Sequence, residues 1–116
     1  MKYIKLFEYK DISQLSKVGD IFKLNVNSTK TFIVEVLGIT KYGLTKNYAI
    51  DLNIILTYNF KRNRWMKFPD DKSSKITCLA TFIDEHGKYL TEQDLIEFGD
   101  LLDDYKIQKD ANKYNL

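Results

Sequence analysis

The feature that most constrains this chain is a change in the period of its apolar residues partway along the sequence. Between residues 21 and 82, apolar and polar side chains alternate with period two, which is typical of strands with one buried face. From residue 91 onwards the apolar residues recur at the spacing of an amphipathic helix. A chain of 116 residues can bury one apolar core without disulfides. The sequence therefore predicts an α+β protein with a sheet followed by a helix.

Turn residues divide the first region into strands. Val18–Asp20 precedes the first strand, and the polar segment Asn27–Lys30 separates it from the second, so these two strands are predicted to form a hairpin. A second hairpin is predicted around Lys61–Asn63. The five predicted strands are Ile21–Val26, Thr31–Leu37, Ile50–Phe60, Arg64–Phe68 and Lys75–Phe82.

The third and fifth strands carry further expectations. Period two in the third strand predicts that five apolar side chains share one face of the sheet. After the fifth strand, the segment Ile83–Lys88 is predicted to be a loop. The five side chains expected on one face are Leu52, Ile54, Leu56, Tyr58 and Phe60.

The C-terminal helix is predicted over residues 91–109. Thr91 stands three residues before Asp94, which is the spacing of a capping box with Asp in place of the usual Glu. Gly99 lies inside the helix, where it costs about 1 kcal/mol relative to Ala, so we expect it to mark a close approach of the helix to the sheet. The apolar stripe consists of Leu95, Phe98, Leu101, Leu102 and Tyr105.

These elements predict a single domain over residues 1–116. Its core is expected to be a small antiparallel β-barrel or curved sheet, SH3-like or OB-like, of about five strands with the amphipathic helix appended. An open antiparallel sheet with the helix lying across it is the alternative. Residues 1–20 are expected to form an arm or strand plus a short turn, residues 21–82 the β-rich core, and residues 91–109 the helix.

Composition excludes several classes of protein. The single Cys78 cannot form an intrachain disulfide, and with His86 it cannot supply the ligands of a protein zinc site. No apolar run approaches the length of a membrane span, and the N-terminus lacks the apolar run of a signal peptide. We therefore expect a cytoplasmic protein that holds no metal and no cofactor.

No arrangement of residues predicts an enzyme. Cys78 and His86 are eight residues apart, and a strand cysteine and a turn histidine are the simpler interpretation. Phosphate-binding, zinc-protease, serine-hydrolase and redox cysteine motifs do not occur in the sequence. The carboxylate pairs are interpreted as solvated surface charge: Asp70/Asp71, Asp84/Glu85 and Asp103/Asp104.

Charge divides unevenly along the chain. Residues 1–80 contain fourteen Lys or Arg and seven Asp or Glu, whereas residues 81–116 contain four and nine, so the net charges are +7 and −5. The densest basic stretch is the second hairpin, where cations alternate with aromatic residues. Cations that neutralise phosphates and rings that stack on bases are the two chemistries of single-strand binding. The predicted nucleic-acid-binding residues are Tyr58, Phe60, Lys61, Arg62, Arg64, Trp65 and Lys67.

Two alternatives to this interpretation stay open. The hairpin charges could serve solubility alone, with the aromatic residues in the core. The acidic side of the C-terminal helix could instead bind a protein partner, for example a host defence or nucleic-acid enzyme that the chain inhibits or redirects. Self-association into a twofold homodimer is a further prediction, either through pairing of sheet edges or through packing of helix on helix. The acidic residues are Glu92, Asp94, Glu97, Asp100, Asp103 and Asp104.

The first eight residues, Met-Lys-Tyr-Ile-Lys-Leu-Phe-Glu, resemble the opening of many small proteins encoded by tailed bacteriophages. The resemblance covers these eight residues alone and brings no active site with it. It implies a phage or related mobile element as the source. By analogy it also implies an accessory factor in the host cytoplasm that binds nucleic acid or host proteins.

Overall fold

The computed structural model is an antiparallel sheet with a long C-terminal helix, and it describes residues 17–41, 48–69 and 72–114. The predicted N-terminal arm, including the phage-like opening, falls within residues 1–16 and lies outside the described residues. The elements are β1 (Ile21–Asn27), β2 (Lys30–Lys41), β3 (Tyr48–Asn59), β4 (Arg64–Lys67), β5 (Lys75–Leu79), α1 (Ala80–His86), β6 (Gly87–Lys88) and α2 (Glu92–Tyr114).

The sheet is open. Its strand order is β4-β3-β2-β1-β6, and β5 pairs with β3 beside β4, so both short strands share one edge. Among the described strands, the two-residue β6 ends the other edge and pairs only with β1. The predicted α+β class with a C-terminal helix is confirmed. The predicted core was a barrel or a curved sheet, and the structure has a six-stranded antiparallel sheet that is not closed into a barrel.

The two predicted hairpins are present. Gly19, at a φ of 96°, forms the turn before β1, and its N–H donates to the Val36 carbonyl over 2.8 Å. Between β1 and β2, the Asn27 side chain accepts a hydrogen bond from the Thr29 N–H over 2.8 Å. This side-chain bond fixes the two-residue loop, because Asn at such a position replaces a backbone turn contact.

A β-bulge in β3 changes which side chains share a face. Ile33 pairs with Leu56 while the next residue of β2, Val34, pairs with Ile54, so Ile55 is the extra residue. A bulge reverses the alternation beyond it. Leu52 and Ile54 therefore pack in one core cluster and Leu56 in the other. The prediction that positions 52 to 60 share one face is wrong for this reason.

Each face of the sheet is covered by one helix. Ile83 of α1 is fully buried against one face, together with Phe22, Leu24 and Leu52. Phe98 and Leu102 of α2 pack on the opposite face against Ile33, Ile55 and Leu56. Because both faces of the sheet are buried, apolar residues occur at both odd and even positions along β3.

The predicted fifth strand is too long. β5 ends at Leu79, and the residues expected to continue it form α1, which extends through most of the predicted loop. Gly87 and Lys88 then add β6 to the edge of β1. The β-branched run Lys75–Phe82 has no helical period, so sequence pattern alone favoured a strand.

The capping box at the start of α2 is confirmed. The Thr91 N–H donates to the Asp94 carboxylate over 2.8 Å, and the Asp94 N–H donates to the Thr91 hydroxyl oxygen over 3.2 Å. This reciprocal pair satisfies two of the backbone donors that a helix start leaves free. The helix ends at Tyr114, five residues beyond the predicted end.

Two ion pairs join α2 to the sheet. In one the lysine lies on the sheet, and in the other it lies on the helix. Near the start of α2, the Lys23 ammonium from β1 donates to the Asp94 carboxylate over 2.7 Å. Near its end, the Lys109 ammonium donates to the Glu35 carboxylate of β2 over 2.7 Å. Both carboxylates are buried, at 6% and 5% exposure. A buried carboxylate is costly unless it is paired, so these two contacts determine where the helix lies.

Gly99 does not mark a close approach. A methyl group placed on its Cα would meet no atom within 4 Å outside its own helix. The close contacts of α2 with the sheet come from the side chains of Phe98 and Leu102, which are both buried. The expectation from the sequence is therefore wrong at this position.

Replacing Gly99 with Ala should stabilise the protein. Ala lowers the conformational entropy of the unfolded chain and is the better helix former, and the site has room for its methyl group. We expect Gly99→Ala to raise the free energy of unfolding by about 0.5 to 1 kcal/mol in urea denaturation. Gly19→Ala is the matched control and should destabilise the protein, because the φ there strains any side chain. A destabilised Gly99→Ala would contradict the account.

Candidate functional site

The predicted nucleic-acid-binding residues lie together on the hairpin formed by β3 and β4. Tyr58 pairs with Trp65, and Asn59 pairs with Arg64. Because side chains alternate across a strand, Tyr58 and Trp65 lie on the face covered by α2, and Arg64 lies on the opposite face. Lys67 pairs with Leu56 and shares the face of Trp65. The hairpin therefore displays cations on both sides of the sheet edge.

Two asparagines hold the turn of this hairpin. The Asn59 side-chain oxygen accepts hydrogen bonds from the N–H groups of Lys61 and Arg62, over 3.0 Å and 3.1 Å. Asn63 adopts a φ of 51°, which Asn tolerates better than most residues. With the backbone fixed, the side chains at the tip extend into solvent, and Phe60 is 45% exposed.

The rings of the hairpin form a continuous cluster with α2. The Tyr58 and Trp65 rings meet edge to face at 5.3 Å, and the Tyr58 and Phe60 rings do so at 4.8 Å. Trp65 also packs on Phe98 of α2 at 4.9 Å. Tyr58 and Trp65 are half-buried, so Phe60 is the most exposed aromatic ring of this hairpin and the most accessible to a base.

The four cations of the hairpin are exposed, and none has an ionic partner among the described residues. In the part of the chain that the structure describes, none of them forms a salt bridge, whereas Lys23 and Lys109 each form an ion pair that joins α2 to the sheet. A cation without a carboxylate partner keeps its full charge available to an incoming anion. The four residues are Lys61, Arg62, Arg64 and Lys67.

The acidic side of α2 is present, with one correction. Asp94, predicted to be part of it, is buried, and its carboxylate accepts hydrogen bonds from the Lys23 ammonium and the Thr91 N–H. Burial raises the pKa of Asp94, but these hydrogen bonds and the Lys23 charge outweigh burial and hold the pKa below its usual value. Two isoleucines, Ile96 and Ile107, lie among the acids and are 77% and 66% exposed. The five exposed acids are Glu92, Glu97, Asp100, Asp103 and Asp104.

Cys78 and His86 occupy separate environments. Cys78 is half-buried in β5 against the core, and burial raises the pKa of its thiol, so the thiolate is disfavoured. His86, predicted to be a turn residue, is the last residue of α1 and stacks on Phe82 at 4.3 Å. Its ring lies 3.8 Å from the Glu85 carboxylate.

The carboxylate pairs that the structure describes do not gather into a cation site. Asp70 and Asp71 lie outside the described residues, and Glu85, Asp103 and Asp104 are exposed. Within the described ranges, no group of three or more His, Cys, Asp or Glu side chains is placed to hold a metal ion. No helix in those ranges is both long and apolar enough to span a membrane.

A polar network under α2 was not predicted from the sequence. The Ser74 hydroxyl donates to the Asn53 side-chain oxygen over 2.6 Å, and the Asn53 amide donates to the Tyr105 oxygen over 3.1 Å. The Tyr105 hydroxyl donates in turn to Glu35 over 2.8 Å. Burial and then the Glu35 carboxylate raise the pKa of Tyr105 to about 12. These residues are 21 to 70 positions apart, so no local pattern indicates the network.

A cleft opens where β4 and β5 separate along the edge of β3. It has a volume of about 230 Å³, and it lies between α2 and the described residues Phe68, Pro69, Lys72 and Ser74. Ile55, Leu56 and Leu101 give it an apolar floor. The polar side chains that line it are those of Asn53, Lys67, Lys72, Ser74, Tyr105 and Gln108.

Comparison with known proteins adds no family. No protein-family model matches the chain. Neither the curated proteins nor the solved structures include a match to it.

The Tyr105 network should produce a stability change at alkaline pH. The unfolded chain releases the Tyr105 proton near its ordinary pKa of 10.0, whereas the folded protein holds it to about 12. Since the folded state binds more protons in this window, stability should fall as pH rises from about 10 to about 12.

The measurement is the free energy of unfolding in urea across this pH window. Tyr105→Phe should be less stable at neutral pH and should lose this part of the pH dependence. Equal slopes for Tyr105→Phe and the wild type would contradict the placement of Tyr105 against Glu35.

Proposed function

We propose that this protein is a non-catalytic module that binds single-stranded nucleic acid through the β3–β4 hairpin. The observation that carries the proposal is the set of four exposed cations, unpaired within the described structure, around the exposed ring of Phe60. Phosphates and bases are the ligand groups that match these two chemistries.

Electrostatics supply most of the expected affinity. Each cation that neutralises a phosphate releases counterions, and for single strands the logarithm of affinity falls by about 0.7 per contact for each unit of log salt. Four contacts give a slope of about −2.8, so affinity should fall about fifty-fold between 50 and 200 mM salt. Arg62 and Lys61 at the tip and Arg64 on the far face allow the strand to wrap around the hairpin end.

The rings have different roles in this proposal. Phe60 is the stacking residue, because nearly half of its surface is open. Tyr58 supports Phe60 by direct ring contact, and Trp65 contacts both Tyr58 and Phe98 of α2. One exposed ring supplies about 1 to 3 kcal/mol of stacking, which favours weak binding with little sequence preference.

The acidic face of α2 limits where a strand can lie. Its five exposed carboxylates repel phosphates, so the strand is directed to the sheet edge rather than across the helix. A phage accessory factor in the host cytoplasm, as the N-terminal resemblance implies, fits such a module. A twofold dimer through a sheet edge also stays a prediction.

Binding should depend on the three cations nearest the turn. We expect a labelled single-stranded oligonucleotide to bind with a salt slope of about −2.8, measured by fluorescence anisotropy. The triple variant Lys61→Ala, Arg62→Ala, Arg64→Ala should bind weakly and reduce the slope to about −0.7. Trp65 emission should change on binding to the wild type, because its ring is in contact with Tyr58 and hence with Phe60.

The control is a second triple variant, Lys30→Ala, Lys75→Ala, Lys88→Ala. These lysines are exposed and lie on other strands, and their removal lowers the net charge of the protein by the same amount. It should keep the wild-type slope to within about one unit. If both triple variants lost the same affinity for the oligonucleotide, net charge alone would explain the binding. A flat titration of the wild type would refute the proposal.

A protein partner on α2 is the second candidate function. Its support is the exposure of Ile96 and Ile107, at 77% and 66%, on a helix face that also carries Asp100 and Asp103. Exposed apolar side chains among acids suit a basic partner with an apolar centre.

This second candidate predicts a partner that depends on the two isoleucines. Immobilised wild-type protein should retain a basic host protein from nuclease-treated lysate, and Ile96→Ser, Ile107→Ser should lose it. Val18→Ser is the control, because Val18 is 69% exposed and lies before β1, away from α2. Retention that is equal in all three proteins would exclude this face.

A further inference from the structure

We infer that the turn of the β3–β4 hairpin in one copy of this protein docks on the outer face of α2, marked by Ile96 and Ile107, in a second copy. The contact joins two unlike surfaces, so it is head-to-tail. It differs from the twofold dimer predicted from the sequence, in which sheet edges or helices pair with their own kind. It also goes beyond the proposed function, because it gives the hairpin a protein ligand that competes with nucleic acid.

The outer face of α2 is a stripe of exposed residues along the helix. Ile96, Asp100, Asp103 and Ile107 are spaced four, three and four residues apart, so they lie on one side of the helix. The two isoleucines are mostly exposed, at 77% and 66%. Neither aspartate belongs to a salt bridge within the described residues. This face therefore offers apolar side chains flanked by negative charge.

The turn of the hairpin has the complementary chemistry. Phe60 is 45% exposed, and the exposed cations Lys61, Arg62 and Arg64 follow it in the chain. Each of the two surfaces thus combines apolar side chains with charge, and the charges are opposite in sign. Like charges oppose the pairing of two turns or of two outer faces, so the contact between unlike surfaces is favoured. A second copy supplies the basic, partly apolar surface that the outer face of α2 fits.

A single copy cannot make this contact within itself. Helical spacing puts the outer face on the side of α2 away from Phe98, which is buried against the sheet. Trp65 of the hairpin packs on Phe98 at 4.9 Å, so the hairpin lies on the inner side of α2. The hydrogen bonds from the turn to the Asn59 side chain hold its backbone in place. Only the turn of a second copy can therefore reach the outer face.

The size of the two surfaces makes the contact weak and reversible. The helix rises about 16 Å from Ile96 to Ile107 and is about 10 Å across, so the contact is much smaller than the roughly 800 Å² per partner of a stable complex. Exposed ion pairs add little each and are screened by salt. We expect a Kd on the order of 1 mM at low salt. In a sample of about 50 µM, only about one copy in twenty is then associated, and α2 is free.

Amide NMR spectra of the isotope-labelled full chain at two protein concentrations test the contact. Between about 50 µM and about 2 mM protein at low salt, we expect shifts at residues 60–64 and at residues 96–107. Both sets should fade when salt is added, because the charges are then screened. Shifts at only one of the two surfaces, or at neither, would overturn the head-to-tail contact.

Two charge-reversal variants test the two surfaces separately. Lys61→Glu, Arg62→Glu makes the turn acidic, and Asp100→Lys, Asp103→Lys makes the outer face basic. Each variant alone should lose the concentration-dependent shifts, because its turn and its outer face then carry the same charge. A mixture of the two should restore them, since the basic turn of one variant meets the acidic outer face of the other. Absence of shifts in the mixture would overturn the contact.

The matched control is the variant Lys30→Glu, Lys75→Glu. Both lysines are exposed and lie on β2 and β5, and their replacement changes the net charge by the same amount as the turn variant. It should keep the concentration-dependent shifts of the wild type. If the control lost them as completely as the turn variant, net charge alone would explain the association, and the docking of the turn on α2 would be overturned.

Nucleic acid should dissolve the contact, and this consequence rests on the proposed function. A single-stranded oligonucleotide added to the concentrated protein should return residues 96–107 to their dilute positions, because the strand and α2 compete for one turn. Concentration-dependent shifts that the oligonucleotide leaves unchanged would support the contact and contradict the hairpin as the nucleic-acid site. Oligonucleotide binding without any concentration-dependent shifts would overturn the contact alone.

Discussion

The placement of α2 on the sheet depends on two ion pairs of opposite sense. Lys23 of the sheet reaches Asp94 of the helix, and Lys109 of the helix reaches Glu35 of the sheet. Each buried carboxylate would cost several kcal/mol without its lysine, so the helix has one low-energy position along the strands. That position puts Phe98 under Trp65, which supports the hairpin rings. It also puts Leu101 and Tyr105 beside the gap in the sheet edge, which creates the cleft.

The charged residues therefore divide into two groups with different roles. Lys23 and Lys109 form ion pairs with buried carboxylates, whereas the hairpin cations have no ionic partner within the described structure. Among the acids, Glu35 and Asp94 are buried and the remaining carboxylates of α2 face solvent. The net charge of +2 conceals this separation of a basic sheet edge from an acidic helix face. The β3–β4 hairpin lies on the basic side of it.

Local patterns predicted much of the fold, and long-range contacts account for what they missed. The alternation in β1, the turn residues between the strands and the Thr91–Asp94 spacing were sufficient because each is a local signal of a strand, a turn or a helix start. The bulge at Ile55 has no such signal, because Ile54, Ile55 and Leu56 are all apolar and only their pairing with β2 reveals the extra residue. The hairpin cations were predicted from composition, but the cleft arises from the separation of β4 and β5, which no local pattern encodes.

The most direct test of the account is an NMR titration of the isotope-labelled chain with a short single-stranded oligonucleotide at low salt. The account predicts that the largest amide shifts map to the turn at Phe60 to Asn63 and to both strands beside it, with the Trp65 indole signal among them. The outer face of α2, marked by Ile96 and Asp103, should stay unshifted because its carboxylates repel the strand. Shifts centred on α2, or no shifts at saturating oligonucleotide, would contradict the claim that the β3–β4 hairpin is the binding surface.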